Sequence, residues 1–164
     1  MHAFAWHTMT NARASAAPTV ACTCGALRRA TRALTQLYDD LMLPSGLRVT
    51  QFSLLRTLDR IGPSRLTRLA DAAMLDRTAL SRTLDPLVER GWVDIAPGRD
   101  ARTREASLTA QGRQALRAAQ PHWIRAQAQV AERMGTRKLD ALVGLLREVE
   151  DLHPDRIASE GSHD

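Results

Sequence analysis

The chain has 164 residues, 44% of them hydrophobic, and a formal net charge of +5, which suits one domain with its own core. The charge is uneven: residues 1–63 hold seven basic and three acidic side chains, 64–104 eight and six, and 105–164 eight and nine, so the C-terminal third is not the face that meets a polyanion. No run is apolar enough to span a bilayer and no basic start precedes an apolar core, an expectation of a cytoplasmic protein.

Residues 1–20 are small, polar and scattered, the composition of a disordered extension. Leu27, Ala30, Leu34, Leu37 and Leu41 then recur at threes and fours, predicting a first helix from Thr23 or Cys24 to Met42, stopped by Pro44-Ser45-Gly46. A second helix, capped by Thr50, turns Phe52, Leu55, Leu58 and Ile61 to the core and ends at Gly62-Pro63. Next comes a short helix capped by Thr67, with Leu69, Ala70, Ala73 and Met74 inward, and Leu75 filling the turn that follows.

Asp76 has the side chain an N-cap needs, and the helix it opens runs to Arg90 before Gly91. Leu80, Leu84, Leu87 and Val88 form its inward stripe. The opposite face of its first two turns carries Arg77, Thr78, Ser81 and Arg82, cations and hydroxyls suited to phosphates and base edges in a major groove. Pro86 removes one helical hydrogen bond and predicts a bend beyond those turns. A hairpin follows: Trp92–Ala96 alternates, Pro97-Gly98 opens a turn, and Glu105–Thr109 returns with Ala106 and Leu108 on one face. Its tip holds Arg99, Arg102 and Arg104 against Asp100, a basic loop suited to a minor groove.

Thr109 can cap a long helix to about Met134, kinked at Pro121, with Leu116, Ala119, Trp123, Ala126, Val130 and Met134 on one side. Past Gly135, Thr136 starts a last helix with Leu139, Leu142, Val143, Leu146, Val149 and Leu152 inward, ended by His153-Pro154. Leucine-rich helices at both ends, remote from the helix over Asp76–Arg90, are what a helical dimerisation region needs.

Four ordered blocks, LxxLA, DRTALSRTLDPLxxRGWV, the D-x-R of Asp100-Ala101-Arg102, and LTAQG, together resemble the winged helix-turn-helix of the MarR family of bacterial transcription regulators. The resemblance covers about a quarter of the chain; Trp92 stands where the family usually has an aliphatic, and Pro86 interrupts the helix. It implies a mainly α fold with a small β wing, a homodimer with N- and C-terminal dimerisation helices, and a repressor that leaves a pseudo-palindromic double-stranded DNA operator when an effector binds. The division implied is an extension over 1–20, the domain over 21–153 and a tail over 154–164. Within the domain, residues 50–109 form the DNA-binding lobe, and 21–45 with 110–153 the dimerisation region. Arg77, Thr78, Ser81 and Arg82 would then read bases, Arg99, Arg102 and Arg104 serve the wing, and Asp100 orient Arg102.

The family more often binds a small aromatic acid or phenol between the two regions. Leu37, Tyr38, Leu41, Phe52, Arg56, His122, Trp123 and Gln127 are the candidate lining, with Arg56 placed to pair with a carboxylate. Cys22-Thr23-Cys24 offers a different signal, because a thiolate at a helix N-terminus is stabilised and a second thiol two residues on can resolve its oxidised form. Peroxide-sensing relatives support their cysteine with tyrosines from the second helix; here that helix has Phe52 and no tyrosine. A lone C-x-C completes no zinc site, no cofactor signature is present, and no catalytic motif points to an enzyme. A winged helix that binds protein instead of DNA is the remaining alternative.

Overall fold

A computed structural model describes residues 22–98 and 103–153. In chain order it comprises α1 (Thr23–Met42), a 3-10 turn (Leu43–Ser45), α2 (Val49–Ile61), β1 (Ser64–Arg65), α3 (Leu66–Ala72), α4 (Arg77–Glu89), β2 (Val93–Pro97), β3 (Arg104–Leu108), α5 (Ala110–Met134) and α6 (Thr136–Glu150). The core is centred on α2, whose Phe52, Leu55 and Leu58 are fully buried among Leu69 of α3, Leu87 of α4 and Ala106 of β3. α2 thereby touches α1, α3, α4, α5 and the sheet. α4 and α5 run through Pro86 and Pro121 respectively without interruption.

The sheet has the order β1-β3-β2, all antiparallel. Ser64 pairs with Ala106, and β2 and β3 pair from Val93 with Leu108 to Pro97 with Arg104. Pro97, which has no N–H, lies on β2, an edge strand, where a missing donor is tolerated. β1 was not foreseen, since two residues are too few for alternation to show. Its presence moves the start of α3: the chain leaves the sheet at Arg65 and is helical from Leu66, so Thr67 lies inside the helix and not at its cap.

Thr50 is likewise not the cap of α2. The helix begins at Val49, whose N–H donates to the Asp39 carboxylate of α1 at 2.8 Å, while Gln51 Oε1 accepts from Arg48 N at 3.1 Å. An acceptor ten residues away replaces the local hydroxyl and ties α1 to α2. By contrast Thr109 caps α5 as expected, its hydroxyl accepting from Gly112 N at 3.0 Å.

Both terminal helices form where periodicity placed them, yet their apolar stripes are open in the protomer. α1 buries only Met42 and α6 buries nothing; Leu34 is 38% exposed, Val143 and Val149 39%, and Leu152 69%. Of the expected inward stripe, Leu139, Leu142 and Leu146 are half-buried, whereas Val143 and Val149 are exposed, as is Leu152, which lies beyond the end of α6 at Glu150. α6 packs on α5 alone among the larger contacts of the described residues. Among the described residues no helix is long and apolar enough to cross a membrane.

Candidate nucleic-acid interface

The turn between α3 and α4 is a Schellman arrangement. Leu75 N donates to Ala70 O at 2.9 Å and Met74 N to Asp71 O at 3.1 Å, with Met74 left-handed at φ 51. That conformation turns the Met74 side chain outward, 44% exposed, correcting its expected inward place. Asp76 then opens α4 by accepting from Ala79 N at 2.8 Å. A second Schellman arrangement closes it, with Trp92 N on Leu87 O at 2.9 Å, Gly91 N on Val88 O at 2.8 Å, and Gly91 at φ 67.

Between these fixed ends, α4 holds Leu80, Leu84 and Leu87 at 3%, 2% and 0% exposure. Its other face leaves Arg77, Thr78, Ser81 and Arg82 exposed together. Thr83 is excluded from that face: half-buried, its hydroxyl bonds back to Ala79 O at 3.0 Å. The exposed set is thus two forked cations and two hydroxyls on the first two turns of a rigidly seated helix, the groups that bind phosphate oxygens and base edges.

Beside α4 rises the β2–β3 hairpin, closed toward its tip by Gly98 N on Thr103 O at 2.8 Å. A Cβ at Gly98 would collide with the Thr103 hydroxyl, so glycine permits the turn to start there. Arg104 is exposed at the first position of β3. Arg99, Asp100 and Arg102 lie outside the described residues, as do the N-terminal extension and the tail from 154.

The junction of α4, the hairpin and α5 gives the LTAQG block a physical role that pattern alone did not reveal. Thr109 Oγ1 donates to Gly91 O at 2.8 Å while capping α5, and Gly112 lies so close to Trp92 O that a Cβ would strike it. A glycine three residues after a helix cap was the available signal.

Of the candidate effector residues, the structure joins three. Phe52 and Trp123 stack with centroids 5.8 Å apart, and the Arg56 guanidinium lies 4.5 Å from the Trp123 ring and 5.7 Å from that of Phe52. Phe52 is wholly buried; Leu37, Tyr38, Leu41, His122 and Gln127 are half-buried. His122 Nδ1 is buried without a hydrogen-bond partner among the described residues. Burial raises the Tyr38 phenol above its ordinary pKa. Open grooves lie elsewhere: one of about 670 Å³ includes Thr31, Asp39, Leu47 and Arg48, another of about 620 Å³ includes Cys24, Leu27, Arg28 and Val149. Cys22 and Cys24 are exposed free thiols, and Cys22 Sγ caps α1 by accepting from Gly25 N at 3.5 Å. Among the described residues no cluster of His, Cys, Asp or Glu could hold a metal ion.

A family model described as "MarR family" matches residues 47–100, which span α2 through β2. No curated protein sequence matches the chain. Among solved structures, the M. tuberculosis transcriptional regulator MosR in complex with DNA is 38% identical, with 80% of this chain and 99% of that chain covered and a TM-score of 0.66. A second MosR structure gives 32% identity, 82% and 98% coverage and a TM-score of 0.68. The transcriptional repressor CouR bound to a 23-mer DNA duplex gives 27%, 79%, 92% and 0.71. Because the identity to MosR extends over nearly that whole chain, across the helices outside the winged helix as well as within it, this chain belongs to the MarR family of transcriptional regulators.

Proposed function

We propose that the chain is a homodimeric repressor that binds a pseudo-palindromic double-stranded DNA operator and is released from it by an effector. The observation that carries the reading is the first half of α4, where Arg77, Thr78, Ser81 and Arg82 share one exposed face over a buried leucine stripe. Arg77, Thr78, Ser81 and Arg82 read the major groove; Arg99, Arg102 and Arg104 serve the wing, with Asp100 orienting Arg102. Residues 50–109 act as the DNA-binding lobe, and 21–45 with 110–153 as the dimerisation region. The open stripes of α1 and α6 support a second copy as their cover, and a two-fold dimer sets two recognition helices about 34 Å apart on one face of DNA.

For the effector, the reading is a small aromatic or phenolic acid near Leu37, Tyr38, Leu41, His122 and Gln127, its carboxylate on Arg56 and its ring beside Phe52 and Trp123. One observation favours a second reading, a thiol switch: Cys22 caps α1 through its sulfur, with Cys24 exposed two residues on. A peroxide would convert one thiolate to a sulfenic acid, and the other thiol would displace water to form the disulfide. Cys22 Sγ is engaged by Gly25 N in the cap, so forming that disulfide would give up the cap of α1.

Fluorescence anisotropy with DNA from upstream of the gene, against random DNA of equal length, tests the function. Tighter binding to the former, reversed by a panel of aromatic acids, supports the first effector. Reversal by peroxide that is lost in Cys22→Ser or Cys24→Ser supports the second. Equal indifference to all DNA refutes DNA recognition.

A further inference from the structure

Arg90, the C-cap residue of α4, touches two other parts of the molecule at once. Its Nη1 donates to Gly46 O at 2.7 Å across 44 residues of sequence, and its guanidinium lies 4.9 Å from the Trp92 ring centroid. Gly46, at φ 69, closes the 3-10 turn between α1 and α2, with its N–H on Leu43 O at 3.0 Å. The next residue, Leu47, is 2% exposed and anchored in the core. Trp92 begins the wing; its N–H completes the end of α4 and its carbonyl accepts from Thr109 N at 3.1 Å.

We propose that Arg90 is a positioning residue that couples the α1–α2 elbow to the end of α4 and the root of the wing. A planar guanidinium suits this, because its edge donates to a carbonyl while its face lies on a ring. Arg90 is exposed, as are Arg77 and Arg82 on the first turns of the same helix, but one of its donors faces the protein's own backbone and one face of its guanidinium lies against indole. A change in how α1 meets α2 therefore reaches the DNA-facing lobe through this side chain. The proposal rests on the DNA-binding reading for its functional consequence, not for the coupling itself.

The test uses Arg90→Met, which keeps an apolar contact to Trp92 but loses donor and charge, and Arg90→Lys, which keeps both. Amide hydrogen exchange on the free full-length protein should speed up in Arg90→Met at Gly46–Val49 and at Gly91–Val93 together, and recover in part in Arg90→Lys. Affinity for operator DNA should fall about fivefold in Arg90→Met with an unchanged salt slope. Unchanged exchange at the elbow overturns the coupling. A salt slope lowered by about one, with equal loss on random DNA, makes Arg90 a phosphate contact and also overturns it. If the wild type binds no DNA, the operator reading falls while exchange still decides the coupling.

Discussion

Under the proposed DNA-binding role, Asp76 connects the stability of α4 to its use, and replacing it separates the two. Its carboxylate accepts from Ala79 N at 2.8 Å and is exposed, so the bond is charge-assisted but solvent-screened. Losing an N-cap acceptor costs about 1 kcal/mol, and losing a negative charge beside the positive end of a helix about 0.5 kcal/mol more. Asp76→Ala should therefore destabilise by about 1.5 kcal/mol, and Asp76→Asn, which retains an acceptor, by about 0.5 kcal/mol. Urea unfolding gives both values from the shift in midpoint at constant slope. Operator binding should respond in another order. Asn removes an acid from the groove-facing end while the first turn stays capped, so its affinity equals or exceeds wild type. Ala frays the turn carrying Arg77 and Thr78 and loses discrimination between operator and random DNA. Equal midpoints for wild type and Asp76→Ala would refute the capping argument; equal discrimination in all three proteins would refute the link from cap to recognition.

Gly112→Ala should destabilise by about 2 kcal/mol, because its methyl meets Trp92 O; without that clash alanine in a helix would stabilise by about 1 kcal/mol, so the sign alone decides. Ser64→Ala should stabilise by about 1 kcal/mol in a thermal melt, since its buried hydroxyl has no partner. Arg82→Ala should lose about 1 to 3 kcal/mol on operator DNA and less on random DNA, as read by competition binding; equal losses mean a phosphate contact. Tyr38, the one tyrosine, has a raised pKa, so as pH climbs past 10 the unfolded chain loses its phenolic proton first. Stability should fall there, and the native absorbance titration should run later than that of the urea-unfolded protein.

Much of α4 was legible because its determinants are local. An aspartate cap, leucines at i, i+4 and i+7 and a terminal glycine lie within sixteen residues, and each holds its expected place. Features set by distant partners were not. The cap on Val49 comes from Asp39, β1 exists only because β3 pairs with it, and Arg90 meets a carbonyl 44 residues earlier. Met74 misled for a different reason: apolar spacing at the end of α3 continues the inward stripe on paper, while a left-handed residue there rotates it away.

The terminal helices show how far periodicity reaches. Spacing by threes and fours placed α1 from Thr23 to Met42 and α6 from Thr136, because a helix with one apolar side must turn that side from water. The same spacing is silent on what does the covering. In the DNA-facing lobe the cover is the chain's own α2, so a stripe such as Leu80, Leu84 and Leu87 is buried to within 3%. On α1 and α6 the described residues supply no such full cover, and Leu34, Val143 and Val149 stay 38% to 39% exposed although their pattern is as regular. The described residues of a monomer would keep those side chains in water along two helices, against the tendency that shaped their spacing. In the proposed homodimer, pairing with a second copy would remove that cost and supply a second α4 for a two-fold site, so that a single apolar pattern would serve both the assembly and the reading of DNA.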